Sequence, residues 1–286
     1  MRWVWAPLFL SSVSLTTAFT HFESDEASCS IIGDPDVYGI GIRIGLYFQW
    51  GAVLVATIFN PSQTRIARTT SNILTISVFI NTFRTVSEDS LVALEWYIVM
   101  WLTFVLNIGN VPSNIVRLHE SSGSFATMLL LWLCIIATQP WLYFVGVDSG
   151  WRKFCDLRIF FFGSISVYGR WRTFGKAFSI IGLFCGLGAL AAAVNALFAG
   201  IVPPDLNDDD DHRNTAVYVL SFIQFVAGTI SILMVEMTIR TNNVDMDSVS
   251  LLDSGQLIPT LIGIFTLGSI CFSSIRRKLR TSSDED

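Results

Sequence analysis

Apolar residues gather into seven long runs, at about 39–59, 69–86, 90–110, 124–145, 176–202, 215–239 and 255–274, joined by short polar connections. Each approaches the roughly 20 residues that a helix needs to cross a hydrocarbon core. An eighth apolar stretch, 3–20, follows Arg2 and ends near the small residue Ala18. It reads as a signal peptide or as a further span. In both cases residues 21–38 lie on the side to which that stretch delivers the chain, called side X below. The predicted fold is all-α, an integral membrane helical bundle of seven spans plus an N-terminal signal peptide or eighth span. Residues 21–275 form one domain, and a disordered tail is expected over 276–286. No internal repeat is visible. Segment 203–214, PPDLNDDDDHRN, reads as a solvated acidic connection.

Residues 146–175 break the pattern. Their apolar centre, Leu157 to Tyr168, is too short to span, and Arg152, Lys153, Arg158, Arg170 and Arg172 flank it. Aromatic rings bury in the headgroup region while neighbouring charges stay wet. A re-entrant or interfacial helix that begins and ends on side X is therefore expected.

Composition sharpens this picture. Hydrophobic residues make up 52% of the 286 and charged residues 14%, where a soluble domain carries about 25% charged. The mean hydropathy is +0.56. A soluble globular enzyme, a disordered chain and a nucleic-acid-binding domain are excluded. The net charge of −5 leaves no basic excess for a polyanion. No CxxC or HExxH string suggests a metal site, so no metal and no cofactor is expected. The expected partners are the lipid bilayer and a hydrophobic prenylated small molecule, not nucleic acid.

Sidedness is close to balanced. The tail cluster Arg276, Arg277, Lys278 and Arg280 favours a cytoplasmic face opposite X, whereas the basic residues around 152–176 lie on X. The signal-like N-terminus favours X as lumenal, in the endoplasmic reticulum. Cys29 and Cys155 both fall on X, where an oxidising compartment lets them pair.

Charges inside spans are costly and face the bundle interior, so each is a functional candidate. Arg43, Arg84, Glu95 and Glu236 are the intramembrane set. Following the chain from X places Glu95 near the start of one span and Glu236 near the end of another, both in the X leaflet. Arg43, Arg84, Asp148 and the Asp34/Asp36 pair lie near the same face. At helical spacing Glu236 shares a stripe with Phe222, Phe225, Gly228 and Ile232, a groove or pocket wall. Glu95 has Trp96 beside it, and Arg43, Tyr47 and Trp50 form a third stripe. Each feature also has a plainer reading. Small residues such as Gly228 and the 182–193 run serve close helix packing. Span-end aromatics belong to interfacial belts. Carboxylates near span ends snorkel to the headgroups, and Asp34-Pro35-Asp36 forms a turn.

Two strings carry a resemblance. One is Cys29…Gly33-Asp34-Pro35-Asp36, then Gly39-x-Gly41-x-Arg43-x-Gly45-x-Tyr47-x-Gln49. The other is Tyr168-Gly169-x-x-x-Thr173-Phe174-Gly175-Lys176-x-Phe178. Both resemble a widespread group of fungal multi-pass membrane proteins, over roughly residues 29–200. In size, span count and isolation of its acids the chain also looks similar to fungal membrane-bound terpene cyclases of the ascofuranone type. That second resemblance implies a farnesylated meroterpenoid substrate in secondary metabolism. It matches no catalytic motif residue by residue.

Two functions fit these features. A terpene cyclase needs a carboxyl that keeps its proton in an apolar site, to protonate an epoxide or alkene. It also needs aromatic faces to stabilise carbocations, each worth about 0.5–2 kcal/mol. Glu236 is the expected acid, followed by Glu95, Asp148 and Asp36. Arg43, Tyr47, Trp96, Trp101, Tyr143, Phe222 and Phe225 are the expected substrate-binding residues. Glu95 and Glu236 are expected to flank one cavity opening near X, and Arg43 and Arg84 to pair with whichever acid stays ionised. The alternative is a non-enzymatic seven-helix protein: receptor-like, transporter or scaffold. A transporter is disfavoured by the lack of repeats and by acids that sit off-centre.

Overall fold

A computed structural model describes residues 31–87, 93–106, 122–146, 157–198, 210–246 and 250–283. These residues are mostly helical. In chain order they form α1 (Pro35–Tyr38), α2 (Ile40–Phe59), a 3-10 turn (Pro61–Gln63), α3 (Thr64–Ser87) and α4 (Ala93–Met100), which runs into a π-helical turn (Trp101–Val105). Then come α5 (Ser122–Trp141) with a second π-helical turn (Leu142–Gly146), strands β1 (Arg158–Phe160) and β2 (Ser164–Ser166), α6 (Arg170–Phe198), α7 (Asp210–Thr241) and α8 (Ser254–Ser283). Among the described residues four segments are long and apolar enough to cross a membrane: Pro35–Phe59, Ala126–Gly146, Val217–Thr241 and Ser254–Arg277. The protein is thus a helical membrane protein by length and composition.

Helix α3 begins before the apolar run that predicted it and includes Arg65 and Arg68. Arg68 is only 3% exposed, an interior cation that a boundary drawn at residue 69 hides. Helix α8 is continuous to Ser283, so the tail expected to be disordered from residue 276 is helical that far. The acidic connection loses its last residues to α7, which starts at Asp210.

The expected interfacial helix at 157–168 is instead a β-hairpin. Arg158 pairs with Ser166, Ile159 with Ile165 and Phe160 with Ser164, antiparallel. The reason lies in composition and docking. Ile159, Phe160, Phe161, Phe162, Ile165 and Val167 are β-formers interrupted by Gly163, and Phe162 takes a positive φ of 53° at the turn. The hairpin's backbone is then bonded by helix side chains. The Phe160 N–H donates to Thr238 Oγ1 (3.0 Å), and the Arg158 N–H to Asn242 Oδ1 (2.9 Å). Tyr97 Oη donates to the Phe160 carbonyl (2.6 Å). Three-residue strands at about 3.3 Å per residue do not cross a bilayer, so the hairpin stays at one end.

Contacts mark that end. The start of α2 meets the start of α8 through Gln256, and the end of α2 meets its far half through Asn60 and Ser273 (2.8 Å), so the two helices run parallel. Helix α3 returns antiparallel, with Thr85 bonded to Asp34 (2.8 Å). The end of α7 and the start of α4 hold the hairpin. Helices α5 and α6 are antiparallel, with Gly175 against Tyr143 and Gly186 against Leu133.

Two seams use small residues for close approach. On α2, a Cβ at Gly45 would meet the Pro259 carbonyl carbon at 2.6 Å, and one at Gly41 would meet Gln256 Cα at 2.8 Å. Gln256 Oε1 accepts the Gly41 N–H (2.9 Å), one of the orphan donors that open α2. Its Nε2 donates to the Pro35 carbonyl (2.7 Å). Deeper in, Gln49 donates to Thr266 Oγ1 (3.1 Å) and accepts from Thr70 (2.9 Å). The α5–α6 seam instead packs Gly182 and Gly186 against Ile136 and Leu133.

Candidate functional site

Asp34, Arg43, Glu95 and Glu236 lie close together around the start of α2. Pro35 begins α1, and Asp34 caps it by accepting the Asp36 N–H (2.9 Å). This short cap aims Tyr38 inward. Its Oη donates to Glu95 Oε1 at 3.0 Å, and the Asp34 N–H reaches the same oxygen at 3.3 Å. Glu95 is 2% exposed, on the first turn of α4. Its burial is offset by these donors, because a buried polar group costs stability unless it is hydrogen-bonded.

One turn along α2, Arg43 forms an ion pair with Glu236 of α7. Tyr47, a further turn on, donates its Oη to Glu236 Oε1 at 2.8 Å. The Arg43 side chain is 9% exposed and that of Glu236 is 44% exposed. Glu236 therefore has the cation it was expected to lack. With Arg43 and Tyr47 both on its Oε1, the Glu236 carboxylate is engaged in holding α2 to α7.

The expected wall beside Glu236 is absent as well. Phe222 is 67% exposed and Phe225 is 49% exposed, so both face out of the bundle. The α7 stripe through Gly228 instead receives Trp50: a Cβ at Gly228 would overlap its indole. Trp50 Nε1–H donates to the Gln224 carbonyl (3.3 Å), and the Trp50 and Phe225 rings stack at 6.0 Å. Small residues here make room for packing, the plainer reading.

Neither Glu95 nor Glu236 lines either of two cavities found among the described residues. The larger cavity, about 210 Å³, lies between α2, α3 and α8 and has Asp36 at its edge. The smaller, about 10 Å³, is at the threshold for one water molecule. Trp96, Tyr97, Tyr143 and Trp171 line it. Trp101 joins this aromatic cluster through Tyr97 (6.0 Å between centroids), and Tyr97 meets Trp171 edge-on at 5.6 Å. Three expected substrate-binding residues, Trp96, Trp101 and Tyr143, are thus brought together. Glu95 points to Tyr38 instead, while residues 96, 97 and 100 line the aromatic cavity.

Asp148, Cys29 and Cys155 lie outside the described residues. Among the described residues no group of His, Cys, Asp and Glu is arranged to hold a metal ion. Sequence reasoning missed Tyr38, Arg68, Gln49, Gln256 and Trp171. Gln49 stood in the quoted string, and polarity inside an apolar run was the available signal for Gln256, whereas Arg68 fell one residue outside the run drawn at 69–86. No known protein family, curated protein or solved structure matches the chain.

Proposed function

We propose that the chain is a non-enzymatic, seven-helix integral membrane protein of receptor-like topology. Its charged groups fasten the bundle at the X end rather than donate protons. The observation behind this reading is the Arg43–Glu236 ion pair, with Tyr47 as a second donor. It ties α2 to α7 and spends the acid on which cyclisation was expected to depend. The alternating directions of α2, α3, α7 and α8 support seven crossings, with α4, α5 and α6 supplying the remaining three. The apolar stretch 3–20 supports delivery to the endoplasmic reticulum.

The aromatic cluster favours a second reading, a terpene cyclase in which Glu95 is the acid and Trp96, Tyr97, Tyr143 and Trp171 face the cation. A farnesylated phenol epoxide incubated with the protein in nanodiscs separates the two. The receptor-like reading expects no cyclised product from the parent, and a lowered melting temperature for Glu236→Gln. Cyclised product that falls about 10²–10⁴-fold in Glu95→Gln would replace it with the cyclase.

A further inference from the structure

We propose that the cavity between α2, α3 and α8 is a binding site for the head of a single-chain lipid amine. Its inner wall is apolar and buried: Ile42, Leu46, Leu74 and Val78 are each at most 6% exposed. Its rim is polar, formed by Asp36, Ser77, Asn81 and Ser254. Ile258 lines the cavity and is 57% exposed, and Ser77 is exposed too. The cavity therefore opens sideways along the α3–α8 seam, the face that a bilayer covers. A tail can lie in the lipid while the head enters from the membrane.

Size and charge select the ligand. Pockets for drug-sized molecules run about 300–1,000 Å³, and this one is about 210 Å³. It takes a small head and the first methylenes of one chain, not a bulky two-chain headgroup. The two aspartates around Pro35 have separate tasks. Asp34 is spent, with Oδ1 on the Asp36 N–H and Oδ2 on Thr85. The Asp36 carboxylate takes no hydrogen bond or ion pair from any described residue, and it stands at the cavity rim near Gly255. Of the charges near this mouth, Asp34 and Asp253 are also negative, while Arg84, one turn beyond Asn81 on α3, is positive and already engaged in an interaction of its own. The rim thus complements a cationic head. An alkyl ammonium suits it, because it keeps its charge at neutral pH with a pKa near ~10.4 and carries three donors on one small centre. A carboxylate head of the same chain length would be repelled.

This site stands whether or not the chain is catalytic, because it shares neither Glu95, Glu236 nor the aromatic cluster. The test uses the full chain in phosphatidylcholine nanodiscs with a photoreactive C18 alkyl amine. The expected result is saturable labelling on α3 and α8 peptides. Unlabelled amine should compete, and the fatty acid of equal length should compete at least tenfold more weakly. Asp36→Asn should cut labelling about tenfold or more at an unchanged melting temperature. Ser77→Phe, on an exposed position of α3, should block it sterically and serves if Asp36→Asn folds poorly. Equal competition by the fatty acid overturns the proposal. So does parent-level labelling of both variants, or labelling spread evenly over lipid-facing helices such as α6, which would show annular lipid only.

Discussion

The two closest helix pairings, α2 with α8 and α5 with α6, reach contact by opposite means. Both place glycines at the seam. In α2–α8 the glycines meet backbone: Gly45 faces Pro259, and a Cβ at Gly263 would lie 2.7 Å from the Gly45 carbonyl oxygen. Around them stands a ladder of interhelical hydrogen bonds from Gln256, Thr260, Gln49 and Asn60. In α5–α6 Gly182 and Gly186 meet the ends of flexible side chains, Leu133 Cδ1 at 3.2 Å from a Cβ at Gly186 and Ile136 Cγ2 at 3.4 Å from one at Gly182, while Gly175 at the end of the seam faces the Tyr143 ring. The polar tie described there is Arg172 Nε on the Tyr143 carbonyl (3.2 Å), at the end of the seam. Lipid is as apolar as leucine, so neither seam gains from hydrophobic exclusion. The first seam has its register written in donors and acceptors. The second is held by shape, and flexible side chains can re-form that shape.

Enlarging a glycine at each seam breaks the comparison most sharply. Gly45→Leu has no room, because the opposing atoms are main chain. It should cost at or above the ~1–3 kcal/mol usual for overpacking, seen as loss of the monodisperse species in size-exclusion chromatography. Next comes the charged tie at the same end. Arg43→Met strips Glu236 of its cation but leaves a half-exposed carboxylate that can find water. Destabilisation of about 1–3 kcal/mol is expected, less than for a fully buried pair, read by thermal melting in detergent. Restoring the charge with Arg43→Lys should recover only part of it, because a lysine lacks the fork.

The polar ladder is tested one rung at a time. Gln49→Leu keeps the bulk and removes the bonds to Thr266 and Thr70. Interhelical hydrogen bonds in membranes average about 0.6 kcal/mol and reach ~1.7, so a fall in melting temperature smaller than that of Arg43→Met is expected. At the bottom of the scale, Gly186→Ala on α6 should be neutral or slightly stabilising. Leu133 and Ile136 can turn away by a few tenths of an ångström, and alanine is about 1 kcal/mol the better helix former. A large loss there would show that the α5–α6 seam is as tightly specified as the other.

The ordering also explains how much could be read in advance. The helices of the four apolar segments were legible, because burial in lipid demands long apolar runs. The convergence of Arg43, Glu95 and Glu236 on one end followed from counting chain direction. Their pairing did not, because it depends on which helices are neighbours, and that is settled by small-residue seams far apart in sequence. Phe222 and Phe225 show the same limit: a stripe fixes which residues share a face, not whether that face meets protein or lipid. The hairpin at 158–166 was misread for a different reason. Helix and strand are both compatible with a short apolar run, and what decides here is tertiary: Thr238, Asn242 and Tyr97 offer bonds to an extended backbone.

The parallel pairing of α2 with α8 also sets a clock on biogenesis. Gly41 and the Gln256 side chain that receives its N–H are 215 residues apart. At roughly 5–20 residues per second, translation needs about 10–40 s to bring the partner out after α2 has been made. Through that interval α2 carries Arg43 and Gln49 with none of the α7 and α8 groups that finally satisfy them. Helix α2 is therefore a waiting intermediate, dependent on the insertion machinery to shield its polar face. A ribosome stalled before Asp253 would leave that helix the most exposed to quality-control proteolysis.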